Sequence, residues 1–217
     1  MFSGHYGAGF VAKRASPSIP LWVLFLAVQF LDLLWAPFVL MGIEKLRIVP
    51  GFTRSNALDL YYMPYTHSLV AALLWSCVGG ILYQLLARPS QPRVSVVVGL
   101  AVFSHWVLDL IVHVPDLPLF DNAAKVGLGL WNAPVLSFGL EAALVLGGIG
   151  LCIRARLAGK GAVVIGLVML TFQAYRTFLG PPPPSDRAMA MTALTAYIVF
   201  AITIWLAEDR RPRVGAA

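Results

Sequence analysis

Charge is scarce in this chain. Asp, Glu, Lys and Arg make up only 12% of its 217 residues, against roughly 25% in soluble domains, which excludes an ordinary water-facing globular surface. Cysteine is scarcer still. Cys77 and Cys152 are the whole complement, too few for a disulfide framework or a thiolate metal site. The first residues lack the order of basic leader, short apolar core and small-residue cleavage site, so no removable signal peptide is expected. Neither a Ser/Gly linker nor an internal repeat of solenoid or transporter period divides the sequence, which argues for one compact domain over 1–217. What fills the chain is apolar: 59% of it, with a mean hydropathy of +0.79. These values predict an all-α integral membrane protein. The net charge of +6 calls for no nucleic acid, because cationic loops beside the cytoplasmic leaflet give the same balance.

Six spans follow from the apolar runs. The first is Leu21 to Ile43, interrupted only by Gln29 and Asp32, and the second and third run from about His67 to Ala87 and from about Val94 to Val114. Pro115 stops the third span. The fourth, about Ala133 to Ile153, holds Glu141; the fifth, about Ala162 to Leu179, holds Gln173 and Arg176; the sixth covers about Ala188 to Ala207. Residues 1–19 are too short to cross alone and, ending in Lys13-Arg14, suit a re-entrant or interfacial helix. Residues 44–66 read as a polar connection turning at Pro50-Gly51, and the basic tail 208–217 as disordered. The metal-capable motifs fall in 1–121, and the three spans of 132–207 follow them. Lys13, Arg14, Arg88, Arg93, Arg154, Arg156, Lys160, Arg210, Arg211 and Arg213 collect on one side, and Lys45, Arg47, Arg54, Lys125 and Arg187 on the other. The imbalance puts both termini in the cytoplasm. Trp22, Trp131 and Trp205, near span ends, read as an interfacial belt.

One stretch stands out against the apolar background, Ser104-His105-Trp106-Val107-Leu108-Asp109-Leu110-Ile111-Val112-His113. At about 100° per residue, positions four apart drift by only about 40°, so His105, Asp109 and His113 share one helix face. In a bilayer such a face costs several kcal/mol unless it points inward and is paired or metal-bound. With about 1.5 Å of rise per residue, Asp32, His105 and Glu141 lie near the midplane, Asp109 about 6 Å further out and His113 about 12 Å. His5 falls near the midplane as well. His67 opens its span at the outer side and must reach inward. Imidazole and carboxylate together suit zinc, manganese or iron. Against this stand structural readings: a lone His-x-x-x-Asp can be a hydrogen-bonded pair, Thr66 or Ser68 can simply cap a helix with His67 at an interface, and Arg176 can be a counter-ion of Asp32 and Glu141.

Gly4-His5, Leu31-Asp32, Thr66-His67-Ser68 and Ser104-His105 with Asp109 resemble, in order, the motifs of the bacterial inner-membrane proteins known as membrane-bound metal-dependent hydrolases. The resemblance covers roughly the first 120 residues, and the last three spans add nothing diagnostic. It departs at Leu33-Leu34-Trp35-Ala36-Pro37, where that family carries a second Asp and a His. The resemblance implies metal ligation by His5, Asp32, His67, His105 and Asp109. The function expected is hydrolysis of an ester or phosphoester of a membrane lipid, with one divalent ion, zinc first, activating the water and Asp109 or Glu44 taking the proton. Membrane lipids are the expected partners, with a second copy or a partner subunit left open and His113 unassigned. Competing readings are a proton- or cation-coupled transporter relaying through Asp32, His105, Asp109 and Glu141, a non-catalytic membrane subunit, and a haem-binding helix pair.

Overall fold

The protein, seen in a computed structural model, is described over residues 1–208; the remainder of the basic tail, 209–217, lies outside the described residues. Eight helices make up about two thirds of the described residues: α1 (Ser3–Ala15), α2 (Leu21–Val28), α3 (Phe30–Leu40), α4 (Leu69–Ala87), α5 (Pro92–Val112), α6 (Pro134–Arg154), α7 (Lys160–Phe178) and α8 (Asp186–Ala207). Helices α4 to α8 are each long and apolar enough to cross a membrane, and α2 with α3 makes a sixth span if the two are counted together. The chain is a multi-pass α-helical membrane protein. Its outward side chains fit that setting, with Leu86, Leu206, Leu100 and Val164 all more than half exposed, which water would disfavour and lipid does not.

Sequence and structure set the helix ends together. Pro92 and Pro134 occupy first-turn positions of α5 and α6, where a missing N–H costs nothing. Ser68 and Ser185 cap α4 and α8 by accepting from the amides of Ala71 and Ala188, both at 3.1 Å. Glu208, read in the sequence as the first residue of the tail, instead receives the Leu21 amide at 2.9 and 3.0 Å and so closes the N-terminus of α2.

The short N-terminal helix is the centre of the bundle. Helix α1 packs against α2, α5 and α6 and buries His5, Tyr6 and Phe10 completely. It approaches α6 so closely that a Cβ on Gly7 would meet the Leu144 backbone at 2.5 Å, and one on Gly148 would meet the Gly7 carbonyl at 2.8 Å. Small residues allow this backbone contact in a bilayer, where no hydrophobic force distinguishes helix from lipid.

Two features differ from the reading of the sequence. The expected single helix Leu21 to Ile43 is broken at Gln29, with α2 and α3 bent by 52°. The Gln29 amide group donates to the Phe2 carbonyl at 3.3 Å, and the Val28 carbonyl is taken by a histidine described below, so side chains replace the backbone bonds lost at the bend. The connection 44–66 also holds an antiparallel hairpin, β1 (Lys45–Ile48) and β2 (Leu58–Tyr62). Lys45 faces Tyr62 and Arg47 faces Asp59, with a bulge between. Arg47 binds Asp59 at 2.6 Å, which neutralises one of the cations on the side with fewer of them.

Apolar packing forms two clusters. One gathers Tyr6, Phe10, Phe25, Leu31, Val102 and Trp106; the other gathers Trp35, Leu60, Met63, Val112, Trp131 and Tyr197. Along α3 the change from one cluster to the other spans Asp32, and along α5 it spans Asp109. A polar layer therefore separates two dry ones.

Candidate metal centre

All four histidines of the chain converge on Asp109. His5 Nε2 lies 3.2 Å from its Oδ1; His105, His113 and His67 place Nε2 at 3.1, 3.6 and 3.8 Å from its Oδ2. Asp32 joins from α3, its Oδ1 at 3.4 Å from His67 Nε2 and 3.7 Å from His105 Nε2. These six side chains are buried, with His5 and His105 completely so. Thus α1, α3, α5 and the segment entering α4 meet at one point. The i, i+4 stripe of α5 supplies its axis.

The orientation of three of the four rings is set from behind. His105 Nδ1 lies 2.7 Å from the Val28 carbonyl, an acceptor at the last turn of α2 that has no partner further along that helix. A carbonyl can only accept, so Nδ1 carries the proton, and in the neutral ring Nε2 presents its lone pair. His67 Nδ1 lies 2.7 Å from Thr66 Oγ1, and that hydroxyl gives its single proton to Glu44 Oε2 at 2.6 Å. The hydroxyl then accepts from Nδ1, which leaves His67 Nε2 unprotonated and facing Asp32. His113 Nδ1 is held by Asp116 Oδ1 at 2.8 Å. A carbonyl, a hydroxyl and a carboxylate thus do the same work at three rings, the arrangement usual behind metal-binding imidazoles.

The donor set fits a divalent ion. His5, His105 and Asp109 form one group, and Asp32, His67 and His105 a second, with ligand atoms within 4.8 Å of one another in each. A tetrahedral ion with bonds of about 2.0–2.1 Å needs donors about 3.3 Å apart, close to the 3.1–3.4 Å of the shortest pairs. His105 Nε2 and both nitrogens of His5 are buried without a hydrogen-bond partner, and the two rings stack at 3.8 Å and 6°. Such orphaned donors are costly unless something binds them. The amino group of Met1, 2.5 Å from Asp109 Oδ1, shows the demand of that carboxylate for positive charge.

The five residues expected as ligands, His5, Asp32, His67, His105 and Asp109, are therefore brought together. His67 is placed by chain entering below α4, and Trp106 Nε1 fixes its carbonyl at 2.9 Å. Ser68 is the cap and Thr66 the ring's support, while His67 itself is buried rather than at an interface. Glu44, named in the sequence as a proton acceptor, stands behind Thr66. Its Oε1 receives the amides of Tyr65 and Thr66 at 2.8 and 2.9 Å, and it is absent from the cavity lining. Burial pushes its carboxyl above the ordinary value despite these donors.

Two readings are corrected. Arg176 is not the counter-ion of Asp32 or Glu141. Asp32 Oδ2 accepts from the Tyr197 hydroxyl at 2.6 Å, while Glu141 Oε2 accepts from the amides of Phe2 and Gly4 and the hydroxyl of Ser3 at 3.2, 3.0 and 2.9 Å. Glu141 is the N-terminal anchor of α1, favoured there by the helix dipole. Trp131 is not in an interfacial belt; it is buried and lies 4.1 Å from the His113 ring. His113, unassigned in the sequence, is buried and belongs to neither ligand group. Tyr197 escaped the sequence reading entirely, because nothing near it in the chain marks it as polar.

A cavity of about 490 Å³ opens from this centre and is lined by Asp32, His67, Asp109, His113 and Tyr197 at its polar end. Residues of the β1–β2 turn and of the α7–α8 connection complete it. Comparison with protein-family models, with curated proteins and with solved structures gives no match to this chain.

Proposed function

We propose that the protein is a membrane-embedded hydrolase dependent on one divalent metal ion, zinc first, acting on an ester or phosphoester of a membrane lipid. The observation that carries the reading is the pair of buried, unpartnered Nε2 atoms of His5 and His105, the latter oriented by the Val28 carbonyl, beside His67 and two buried carboxylates at the end of a cavity. His5, Asp32, His67, His105 and Asp109 would hold the ion. Bound there, it supplies Lewis acidity and an activated water.

The chain's own residues divide the remaining work. His113 lines the cavity, stands outside the ligand groups and has its far nitrogen on Asp116, the arrangement that suits a side chain taking up a proton and passing it on. Asp116 stabilises the imidazolium this creates. Tyr197 holds Asp32 in one orientation through its hydroxyl. Trp35, Leu60 and Met63 keep the polar end dry, which strengthens each charge interaction there. The mouth of the cavity lies toward the hairpin, the side that the distribution of Lys and Arg assigns to the exterior of the inner membrane.

Metal content by mass spectrometry on detergent-purified protein, beside His67→Ala and His105→Ala with folding checked by melting, tests this directly. About one ion per chain in the wild type, lost in both folded variants, and turnover of a phospholipid or neutral lipid ester by the loaded wild type are expected. A wild type that takes up no metal after supplementation would overturn the reading. A cation pathway through the same residues is the second reading, favoured by the bend at Gln29; ion flux into vesicles without lipid turnover would select it.

A further inference from the structure

Two cations line the cavity without a carboxylate. The Lys and Arg ion pairs among the described residues are Lys13–Glu208 and Arg47–Asp59, and neither involves Arg54 or Arg176, which both line the cavity. Arg54 is exposed on the hairpin loop, whereas Arg176 is half-buried near the end of α7. Among the described residues the only hydrogen bond of Arg176 is from Nη2 to the Met189 sulfur at 4.0 Å, a weak acceptor. The three acids of the lining are engaged elsewhere: Asp32 and Asp109 with histidines and Glu141 with the start of α1. A guanidinium held half out of water beside a cavity, with no protein anion to receive it, is a costly arrangement that an anionic ligand relieves.

The cavity also reaches the lipid. Phe172, Thr192 and Ala196 line both it and an apolar groove of about 530 Å³ on α7 and α8, completed by Met191, Val199 and Phe200 among others. These two helices are membrane spans, so the groove opens sideways to the bilayer. From these features we infer that the substrate is an anionic amphiphile whose phosphate-type group is bound by Arg176 and whose acyl chain leaves between α7 and α8. This rests on the hydrolase reading for the word substrate; the binding itself does not.

The test is binding followed by fluorescence of Trp35 and Trp131, both in the cavity lining. The probes are dihexanoyl phosphatidic acid, dihexanoylglycerol and inorganic phosphate, offered to wild type, Arg176→Gln, Arg176→Lys and His105→Ala in detergent. Phosphatidic acid is expected to bind wild type and His105→Ala at least about tenfold more tightly than either other probe, the usual worth of a charge-assisted hydrogen bond. Arg176→Gln should erase the preference over dihexanoylglycerol with metal content unchanged, and Arg176→Lys, as the control for folding, should keep most of it. Filling the groove with Ala196→Trp should remove the advantage of dioctanoyl over dihexanoyl chains, about tenfold in wild type by the hydrophobic worth of the added methylenes. Equal affinity for charged and neutral lipid, or a preference that survives Arg176→Gln, overturns the anionic assignment. Inorganic phosphate binding as tightly as the lipid, or a chain-length effect intact in Ala196→Trp, overturns the amphiphile. Failure of the hydrolase reading shows separately, as lipid affinity in a metal-loaded wild type that turns nothing over.

Discussion

The two walls of the cavity are built on different principles. The wall from α1, α3, α5 and the entry to α4 supplies every imidazole and both central carboxylates. The wall from α6, α7 and α8 supplies no candidate ligand, yet Glu141 anchors α1 by three donors, Tyr197 orients Asp32 and Gly148 admits α1 to its place. One wall carries the candidate ligands and the other carries their alignment. A sequence motif search sees only the first, because ligands must be particular residues at particular spacings, whereas alignment can come from any donor that happens to be near.

The comparison breaks most severely at Gly148. Its Cβ position meets the Gly7 carbonyl and Phe10 Cβ, both at 2.8 Å, and neither can yield without moving α1. Gly148→Val, on the wall with no ligands, should therefore displace His5 and abolish stoichiometric metal binding in protein that still inserts and purifies. Mass spectrometry reads the loss. Retention of the ion with unchanged affinity would show that α1 is not held by this crossing.

The next largest effect separates binding from turnover within the chemical wall. His113→Gln keeps a polar side chain against Asp116 but cannot take up a proton. Turnover should fall by about 10²–10⁴-fold, the usual worth of a general base, with metal content near that of wild type. Loss of the ion instead would move His113 into the ligand set.

How far these roles could be read beforehand depends on the distance over which each residue acts. The stripe of His105, Asp109 and His113 follows from helical period alone, and depth arithmetic along separate spans brought His5 and Asp32 to the same level. Leu21–Ile43 looked continuous because Gln29 is a weak signal for a break; its cause is the demand of His105 and Gln29 for backbone partners across the bundle. The hairpin was hidden because β1 and β2 are only four and five residues long. Glu141 and Arg176 were recognisable as buried charges but not assignable to partners, since Glu141 bonds to residues 137–139 positions away.

Smaller effects are expected from the supports behind the rings. Thr66→Val removes the hydroxyl that accepts from His67 Nδ1 and donates to Glu44, while leaving all five ligands in place. Metal affinity, measured by chelator competition, should weaken by about 10–100-fold with full occupancy recovered at high metal. Glu141→Gln on the opposite wall leaves one acceptor where there were two, so that either the amides of Phe2 and Gly4 or the Gln173 side chain faces an NH2 group, and should cost about 1–3 kcal/mol of stability, read in chemical denaturation. If Thr66→Val lost as much metal as His67→Ala, the distinction between ligand and support at this ring would fail.

The smallest effect concerns Glu44, and its sign follows from burial. Desolvation raises its carboxyl from the ordinary value of 4.5, outweighing the donors from Tyr65 and Thr66. A raised acid holds its proton more tightly in the folded state than in the unfolded one, so its contribution to stability is complete below the ordinary value and is lost as pH climbs through the raised one. The wild-type melting temperature should decline over that window. Glu44→Gln, which cannot ionise, should flatten the decline while other groups continue to titrate. An unchanged slope would mean that the three donors to Glu44 outweigh its burial, and that the support behind His67 is a fully ionised carboxylate throughout the window.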